Sequence, residues 1–239
     1  MSEKGERAEA VAQWYLRLNE FMSISGYVIH IDQAEPHTNR NGNQVIQRTE
    51  ADIVAVRFPF ITEVIAGRVM VDDSWITQSS SNVKHKKVLF VLAEVKSSEC
   101  RLNGPWTNKT SRNMQRLIRR MGFSHSLNEI DNIAESIYHL GRWEGENVIL
   151  QCVCFGSQKS TQICNSHPEV VQITWADVGH FLEHRHVLFP EKIPGGGIQK
   201  QWPYFGEKFA NWFYKKQRGL SVCPQNDPGE FVAKFIQNN

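Results

Sequence analysis

Hydrophobic side chains recur at intervals of three and four residues from Ala8 to Leu18, which predicts an amphipathic helix with one buried face. The β-branched and aromatic residues 27–31 follow Gly26 and predict a first strand. A polar stretch, residues 32–49, then predicts a loop, and a second strand is predicted at 51–58. The fold is therefore expected to begin with a helix that leads into two strands.

Residues 60–87 show no clear hydrophobic period, and we interpret them as an insertion that could form a hairpin. The next segment is more informative because Val88–Ala93 is hydrophobic at six consecutive positions. A strand that is apolar on both sides is typical of the centre of a sheet that is covered on both faces. We expect this strand to cover 88–96 and to end in two charged residues, Glu94 and Lys96.

The remaining elements follow from the same periodicity. Helices are predicted at about 111–121 and 127–140, strands at 147–155 and 170–173, and a helix at 176–184. The connections between strands are long enough for parallel pairing, so the order of elements predicts an α/β fold with a central mixed β-sheet flanked by helices.

The chain is expected to form one main domain with a C-terminal extension. We assign residues 1–190 to the domain and 191–239 to the extension, with the glycine-rich stretch 193–197 as the linker. We expect the extension to be helical and to pack on the same core. Its aromatic residues also favour an interface with a partner protein or with a second copy of the chain: Trp202, Tyr204, Trp212 and Phe213.

Composition excludes several classes of protein. The 27 basic and 25 acidic residues give a formal charge of +2, which excludes a polybasic packaging protein and a strongly acidic chain. No hydrophobic run approaches the roughly 20 residues of a membrane helix. The charged N-terminus lacks the apolar stretch of a secretion signal, so we expect a cytoplasmic protein. Five unevenly spaced cysteines are then expected to be reduced thiols.

Three charged residues at predicted strand ends carry the candidate chemistry. Glu94 and Lys96 alternate with Val95 and therefore point to the same face, at the end of the most hydrophobic strand. Asp52 lies where the polar loop becomes the second strand. Burial of such charges costs several kcal/mol unless they are paired or bind a metal. If the two strands pair, Asp52 and Glu94 converge, which predicts a divalent cation between them.

The donors in this site are oxygen atoms, which favour Mg²⁺ or Mn²⁺ over zinc. Asp52, Glu94 and the backbone carbonyl of Val95 are the expected ligands. Attack of water on a phosphodiester is the reaction most often performed at such sites. Lys96 would position the water and balance the charge that develops on the phosphate.

The residues Asp52 and Glu94-Val95-Lys96, in the predicted order helix, strand, strand, strand, helix, resemble the motif of the PD-(D/E)XK nuclease superfamily. This superfamily includes many restriction endonucleases and Holliday-junction resolvases. The resemblance covers roughly residues 5–155 and implies a restriction endonuclease-like three-layer core and a metal-dependent nuclease activity. Ala51 stands where the family name has proline, and the stretch between the two motifs is long enough to require the insertion.

The resemblance also implies two further site residues. Families of this kind often begin with a helix that brings a glutamate to the metal, and Glu9 is our choice because it lies nearer the buried face, with Glu6 as the alternative. Some branches carry a glutamine on the helix after the third strand, and Gln115 occupies that position. A solvated carboxylate in the first turn of a helix and a surface glutamine are the simpler interpretations of these residues.

Basic residues near Gln115 predict a nucleic-acid partner. Arg112, Arg116, Arg119 and Arg120 fall on one face of the predicted helix, where they could follow a phosphate backbone. The lysines that could extend this surface are Lys84, Lys86, Lys87 and Lys109. A solvated helix face is the alternative.

Other interpretations remain open from the sequence alone. Cys152, Cys154, Cys164 and His167 could form a zinc site, although small thiols in a buried strand are the commoner explanation of the first two. His180 and His184 are one helical turn apart, without the adjacent glutamate of a metalloprotease helix. The sequence therefore predicts a Mg²⁺-dependent DNA endonuclease of restriction, anti-phage defence or repair, with a catalytically inactive DNA-binding or assembly module as the alternative and a zinc-stabilised binding protein as a third.

Overall fold

The structure is a computed structural model of the 239-residue chain. It describes the following residues: 3–30, 37–38, 44–45, 48–65, 67–70, 72–79, 87–188, 204–219 and 227–237. Lys84, Lys86, Trp202 and the predicted linker at 193–197 lie outside the described residues, as does most of the predicted loop at 32–49.

The described residues form helices and strands in alternation. The helices are α1 (Glu3–Leu18), α2 (Ser74–Ser79), α3 (Gly104–Thr107), α4 (Asn113–Arg120), α5 (Leu127–Leu140), α6 (Thr161–Ser166), α7 (Trp175–Leu188), α8 (Tyr204–Gln217) and α9 (Pro228–Gln237), with a 3₁₀ turn at Lys109–Ser111. The strands are β1 (Met22–His30), β2 (His37–Thr38), β3 (Gln44–Val45), β4 (Arg48–Arg57), β5 (Val64–Ile65), β6 (Arg68–Val69), β7 (Val88–Val95), β8 (Arg142–Glu144), β9 (Val148–Gly156) and β10 (Val171–Thr174).

One mixed six-stranded sheet organises the molecule. Five strands follow the order β1-β4-β7-β9-β10, and the short strand β8 pairs with β9. The pairs β1/β4 and β4/β7 are antiparallel, whereas β7/β9 and β9/β10 are parallel. The expected α/β class with a mixed, partly antiparallel sheet is therefore confirmed, and β7 is central as its hydrophobic sequence predicted.

Helices cover the two faces of this sheet and create two hydrophobic clusters. The first cluster contains side chains of α1, α7, α8 and α9 together with inward-facing residues of β4, β7 and β9. The second contains side chains of α3, α4 and α5, which form the crossover between the parallel strands β7 and β9. The arrangement is compatible with a three-layer core in which the end of β7 is buried from both sides.

The side chains of β4 change faces close to Asp52. Ile53 belongs to the first cluster, but Ala51, two positions away, belongs to the second. Gly26 lies opposite Asp52 in the register of β1 and β4, and its φ of +63° is in the left-handed region that favours glycine. Asp52 therefore lies where the buried side chains of β4 pass from one hydrophobic cluster to the other.

A buried ion cluster lies at the C-terminal end of β4. Arg57 donates from Nη2 to Glu20 Oε2 at 2.9 Å and to Asp72 Oδ2 at 2.8 Å. The backbone N–H of Glu63 donates to the second oxygen of Glu20 at 2.5 Å. The cluster thus fixes the segment after β4 against the end of α1.

The C-terminal helices complete the first cluster. Phe209, Trp212 and Phe213 of α8 are buried within the chain itself, so these rings fill its core and do not form an exposed face. In α1, Arg7 donates from Nε and Nη2 to the backbone carbonyl of Ile236 in α9, at 3.4 and 3.3 Å. The extension therefore packs on the main core, and its helices hold the N-terminal helix in place.

Several elements differ from the sequence prediction. The strand β1 begins at Met22, five residues before the predicted start; residues 22–25 alternate between apolar and polar as a strand does, but Met22 and Ile24 are exposed at this edge of the sheet. The described part of the predicted insertion contains the hairpin β5/β6 and the helix α2. The sequence prediction missed α3, α6 and β8, each of six residues or fewer, and it assigned to a loop the short strands β2 and β3 and the first residues of β4, which begins at Arg48. Helices long and apolar enough to cross a bilayer do not occur in the described part of the chain.

Candidate active site

The register of the sheet brings Asp52 and Glu94 together. The antiparallel strands β4 and β7 pair Ile53 with Ala93. Asp52, which precedes Ile53, and Glu94, which follows Ala93, therefore lie side by side. Asp52 Oδ2 accepts a hydrogen bond from the backbone N–H of Val95 at 2.7 Å. This bond fixes the aspartate across the end of β7, where the sequence predicted convergence.

Lys96 joins the two carboxylates. Its Nζ lies 3.0 Å from Glu94 Oε2 and 3.3 Å from Asp52 Oδ2. The backbone N–H of Lys96 donates to the carbonyl of Phe155 in β9 at 3.0 Å, so the residue is held although it follows the last residue of β7. A single ammonium therefore lies between two carboxylates at the end of the central strand.

Glu94 is almost completely buried, with 1% of its surface exposed. Burial and, to a smaller extent, the negative charge of Asp52 raise the pKa of Glu94 to about 7. The charge of Lys96 and the hydrogen bonds from Lys96 and Trp106 oppose this increase without cancelling it. Near neutral pH, Glu94 is thus poised between its protonated and ionised forms.

Glu9 on α1 belongs to the same electrostatic environment. Partial burial and, to a smaller extent, the charges of Asp52 and Glu50 raise its pKa to about 7, with Lys96 opposing them. Glu6, the alternative choice, is exposed. Of the two glutamates, Glu9 is the one that the helix places nearer the buried face, as the sequence suggested.

Lys96 remains a cation in this environment. Burial alone would lower its pKa, but the charges of Glu94 and Asp52 and the hydrogen bonds to both outweigh burial and raise the pKa above its ordinary value. The site therefore holds one fixed positive charge and carboxylates that compete for it. Such a cluster of perturbed ionisable groups is a common property of catalytic sites.

The donor atoms of the site fit a small divalent cation in a limited sense. Among the residues that the structure describes, no three or more His, Cys, Asp and Glu side chains form a group that could hold a metal. However, Mg²⁺ is usually held by only one or two carboxylates, with water and substrate phosphate oxygens as the other ligands. Asp52 and Glu94 satisfy that requirement, and Glu9 stays a prediction as a further ligand.

Gln115 is half-buried on α4, and its hydrogen bonds connect it to the helical layer. Its Nε2 donates to Asp131 Oδ1 at 3.3 Å, and its Oε1 accepts from the hydroxyl of Tyr138 at 3.4 Å. Both partners lie on α5. These contacts hold α4 against α5, and a role of Gln115 at the carboxylates stays a prediction.

The predicted basic stripe is partly neutralised by its neighbours. Arg112 precedes α4 and pairs with Asp131 at 2.9 Å, and Lys109 pairs with Glu135 at 2.5 Å. Arg116 donates to the carbonyl of Ser111 at 2.6 Å, Arg120 donates to the carbonyl of Val28 at 3.0 Å, and Arg119 is exposed without an ion pair to any described residue.

The alternative metal sites do not assemble in the described part of the chain. Cys152 and Cys154 are buried in the second hydrophobic cluster, whereas Cys164 is exposed on α6. His180 and His184 line a cavity of about 840 Å³ beside α7 and β10, where His180 pairs with Asp227 at 3.5 Å. No group of three metal-binding side chains forms at either place among the described residues.

Trp106 is the neighbour of the site that the sequence prediction missed. Its indole Nε1–H donates to Glu94 Oε1 at 2.6 Å, and the residue is 3% exposed. It lies on the four-residue helix α3, which has no periodic pattern. The only sequence signal was its position after the Gly104-Pro105 turn, shortly beyond the charged strand end.

Comparison with known proteins identifies no relatives. No family model matches the chain, and neither the curated proteins nor the solved structures include a match. The interpretation of the site therefore rests on its own residues and geometry.

Proposed function

We propose that this chain is a metal-dependent DNA endonuclease of the PD-(D/E)XK kind, which hydrolyses phosphodiester bonds. The observation that carries the proposal is the buried cluster in which the ammonium of Lys96 contacts both Asp52 and Glu94. Buried charges of this kind are costly, and a hydrophobic replacement is often at least as stable. A chemical role is a physical reason to keep them at the end of the central strand.

Each residue has a distinct role in the proposed reaction. Asp52, Glu94 and the carbonyl of Val95 would hold Mg²⁺ or Mn²⁺, and Glu9 would add a carboxylate from α1. A bound divalent cation supplies Lewis acidity toward the phosphate and lowers the pKa of bound water. Lys96 donates hydrogen bonds to the attacking water and to phosphate oxygens, because its raised pKa keeps it protonated.

DNA would approach along the surface that carries the predicted basic residues. Arg119 is exposed and without an ion pair to a described residue, so it is the strongest candidate for contact with phosphate. Lys109, Arg112, Arg116 and Arg120 would have to exchange their present contacts for phosphate oxygens. The proposed setting is a cytoplasmic nuclease of restriction, anti-phage defence or repair.

A cleavage assay tests the proposal directly. The purified chain is incubated with plasmid, single-stranded or branched DNA in the presence of Mg²⁺ or Mn²⁺. We expect cleavage that EDTA abolishes, that Asp52→Asn eliminates, and that Lys96→Ala reduces by about 10²- to 10³-fold, the range for loss of a donor to developing negative charge.

Lys216→Ala is the matched control because Lys216 also pairs with a glutamate, Glu183, at 2.5 Å, but on α8 and α7. This variant should retain the wild-type rate. The proposal is wrong if no DNA substrate is cut with either metal, or if cleavage is the same in wild type and Lys96→Ala.

The second candidate is a catalytically inactive nuclease fold that serves as a DNA-binding or assembly module. The observation that favours it is that Lys96 already neutralises part of the charge of Asp52 and Glu94 without a metal. An assembly interface in the C-terminal extension would have to use residues other than Trp212 and Phe213, which are buried.

Calorimetric titration with Mn²⁺ separates the two candidates. The nuclease should bind Mn²⁺, and the heat of binding should disappear in Asp52→Asn and in Glu94→Gln. The module should release no heat that depends on these two carboxylates, while DNA binding persists.

A further inference from the structure

The two oxygen atoms of Glu94 have different neighbours. Oε1 accepts the indole N–H of Trp106 at 2.6 Å, inside the second hydrophobic cluster. Oε2 faces Lys96 Nζ at 3.0 Å, on the side where Asp52 also lies. The carboxylate is therefore held in one orientation, with one oxygen directed into the core and the other toward the polar cluster.

Trp106 can impose this orientation because its own position is rigid. The indole is 3% exposed and packs among buried side chains of the crossover helices. It lies on α3, which follows β7 in the crossover to β9. A charge-assisted hydrogen bond of this length is roughly twice as strong as a neutral one.

We propose that Trp106 is a positioning residue that selects the cation, because its hydrogen bond holds Oε1 of Glu94 in the core and directs Oε2, the oxygen beside Lys96 and Asp52, toward a metal. This inference rests on the proposed metal-dependent function. Ca²⁺ accepts carboxylates in a one-oxygen or two-oxygen manner with 6–8 ligands, whereas Mg²⁺ and similar small cations require a near-octahedral set of single oxygens. A carboxylate restricted to one oxygen therefore favours Mg²⁺ or Mn²⁺ over Ca²⁺.

The test measures metal binding without DNA. Affinities for Mn²⁺ and Ca²⁺ are determined by calorimetry for wild type and for Trp106→Phe, which keeps an aromatic ring but loses the N–H donor. We expect the preference for Mn²⁺ over Ca²⁺ to fall by about 10-fold, at the lower end of the effects of removing an outer partner of a metal ligand. Trp143→Phe, which changes a tryptophan on β8, is the control and should keep the wild-type ratio.

A second replacement removes the N–H donor without changing the shape of the side chain. Benzothienylalanine at position 106 preserves the shape of the indole and replaces its N–H with sulfur, and it should lower the preference as Trp106→Phe does. In metal-free protein labelled with ¹⁵N-tryptophan, the signal that disappears in Trp106→Phe should shift in Glu94→Ala and stay in place in Trp143→Phe. This spectroscopic test of the Trp106–Glu94 contact does not depend on cleavage.

The outcomes distinguish the two levels of the proposal. If the wild type binds Mn²⁺ and both replacements keep its Mn²⁺ to Ca²⁺ ratio, the role of Trp106 is wrong and the nuclease proposal stands. If the wild type binds no Mn²⁺, the proposed function and the inference that depends on it are both wrong. If the chemical shift of the Trp106 indole N–H is unchanged in Glu94→Ala, the positioning role is wrong as well.

Discussion

Two buried ion clusters lie along the strand β4. Both contain one cation between two carboxylates, but the charges around them differ. Near one end, Arg57 lies between Glu20 and Asp72, and Glu20 also accepts a backbone N–H. Near the middle of β4, about 17 Å away at the usual strand rise, Lys96 lies between Asp52 and Glu94. Each cluster places one cation between two carboxylates.

The difference is in the surrounding charges: Arg185, which pairs with Glu63 at 3.1 Å, adds a second cation beside Glu20 and Asp72, whereas Glu9 adds a third carboxylate beside Lys96. A planar guanidinium holds its charge permanently and presents several fixed donors, which suits a structural connection. In the cluster around Lys96, the pKa values of Glu94 and Glu9 rise to about 7, so this cluster has fewer cations than its carboxylates require. A buried cluster whose carboxylates are paired with permanent cations stabilises the fold, whereas one that lacks positive charge is suited to receive a cation.

The largest expected effect is the loss of stability in Arg57→Ala. Removal of one partner from a buried ion cluster typically costs about 3–5 kcal/mol, because the remaining charges stay buried without compensation. Lys96→Met should cost less than half as much, since Glu94 can take up a proton near neutral pH. Urea unfolding at pH 7 measures both free energies, and equal losses would contradict the comparison.

The next effect is a gain of stability in Glu94→Gln at alkaline pH. The folded-state pKa of Glu94, about 7, lies above the ordinary value of about 4.3. The stability that its proton contributes is therefore complete below about pH 4 and is lost as the pH rises to about 7. Above that pH the amide should be more stable than the wild type by about 3–4 kcal/mol, although we expect it to be inactive.

Urea unfolding at pH 4 and pH 8 checks this prediction. The two proteins should have similar stability at pH 4, and the difference should appear only at pH 8. Glu230→Gln, which changes an exposed residue of α9, serves as the control for the loss of a negative charge. A gain that is the same at both pH values would show that the proton of Glu94 is not its cause.

Gly26→Ala should lower the stability moderately and also weaken metal binding at the candidate site. A side chain in the left-handed conformation costs roughly 1–2 kcal/mol, and a Cβ here would lie 3.0 Å from Glu50 Oε1. Because Gly26 lies opposite Asp52, the variant should also bind Mn²⁺ more weakly. Gly67→Ala, at a hairpin position with φ of +75° and no neighbour for a Cβ, should lose similar stability but keep the affinity.

The smallest effect on stability is expected for the exposed basic residues. Arg119→Ala should change the free energy of unfolding by less than about 0.5 kcal/mol. If Arg119 contacts phosphate, the slope of log affinity for DNA against log salt concentration should decrease by about 1. Arg17→Ala removes another exposed arginine, from the last turn of α1, and should leave the slope unchanged.

The sequence predicted those parts of the site that depend on strand alternation. Glu94 could be placed at the end of the hydrophobic strand β7 and Asp52 beside it through the pairing of the two strands, although β4 begins four residues before Asp52. Trp106 could not be placed, since a four-residue helix has no periodicity and its packing depends on the whole crossover. The carboxylates that pair with Lys109 and Arg112 also escaped prediction, because they lie on a different helix.

The same limit applies to the fold. Long periodic segments such as α5 were predicted at their observed bounds, whereas the short elements α3, α6 and β8 were missed. The aromatic side chains of α8 could be predicted to be buried or to form an interface, and only the packing of the helices decides between these uses. Tertiary contacts, which a local pattern does not contain, account for each of these differences.

The contact between Arg7 and the carbonyl of Ile236 affects the order in which the molecule can be completed during synthesis. These residues are 229 positions apart, so the helix that carries Glu9 gains this support only after nearly all of the described chain has left the ribosome. Contacts of such long range form late because closing a large loop is entropically costly. A nascent chain would therefore acquire Asp52, Glu94 and Lys96 before Glu9 is secured, and the full cluster of acidic groups would form only in the finished fold.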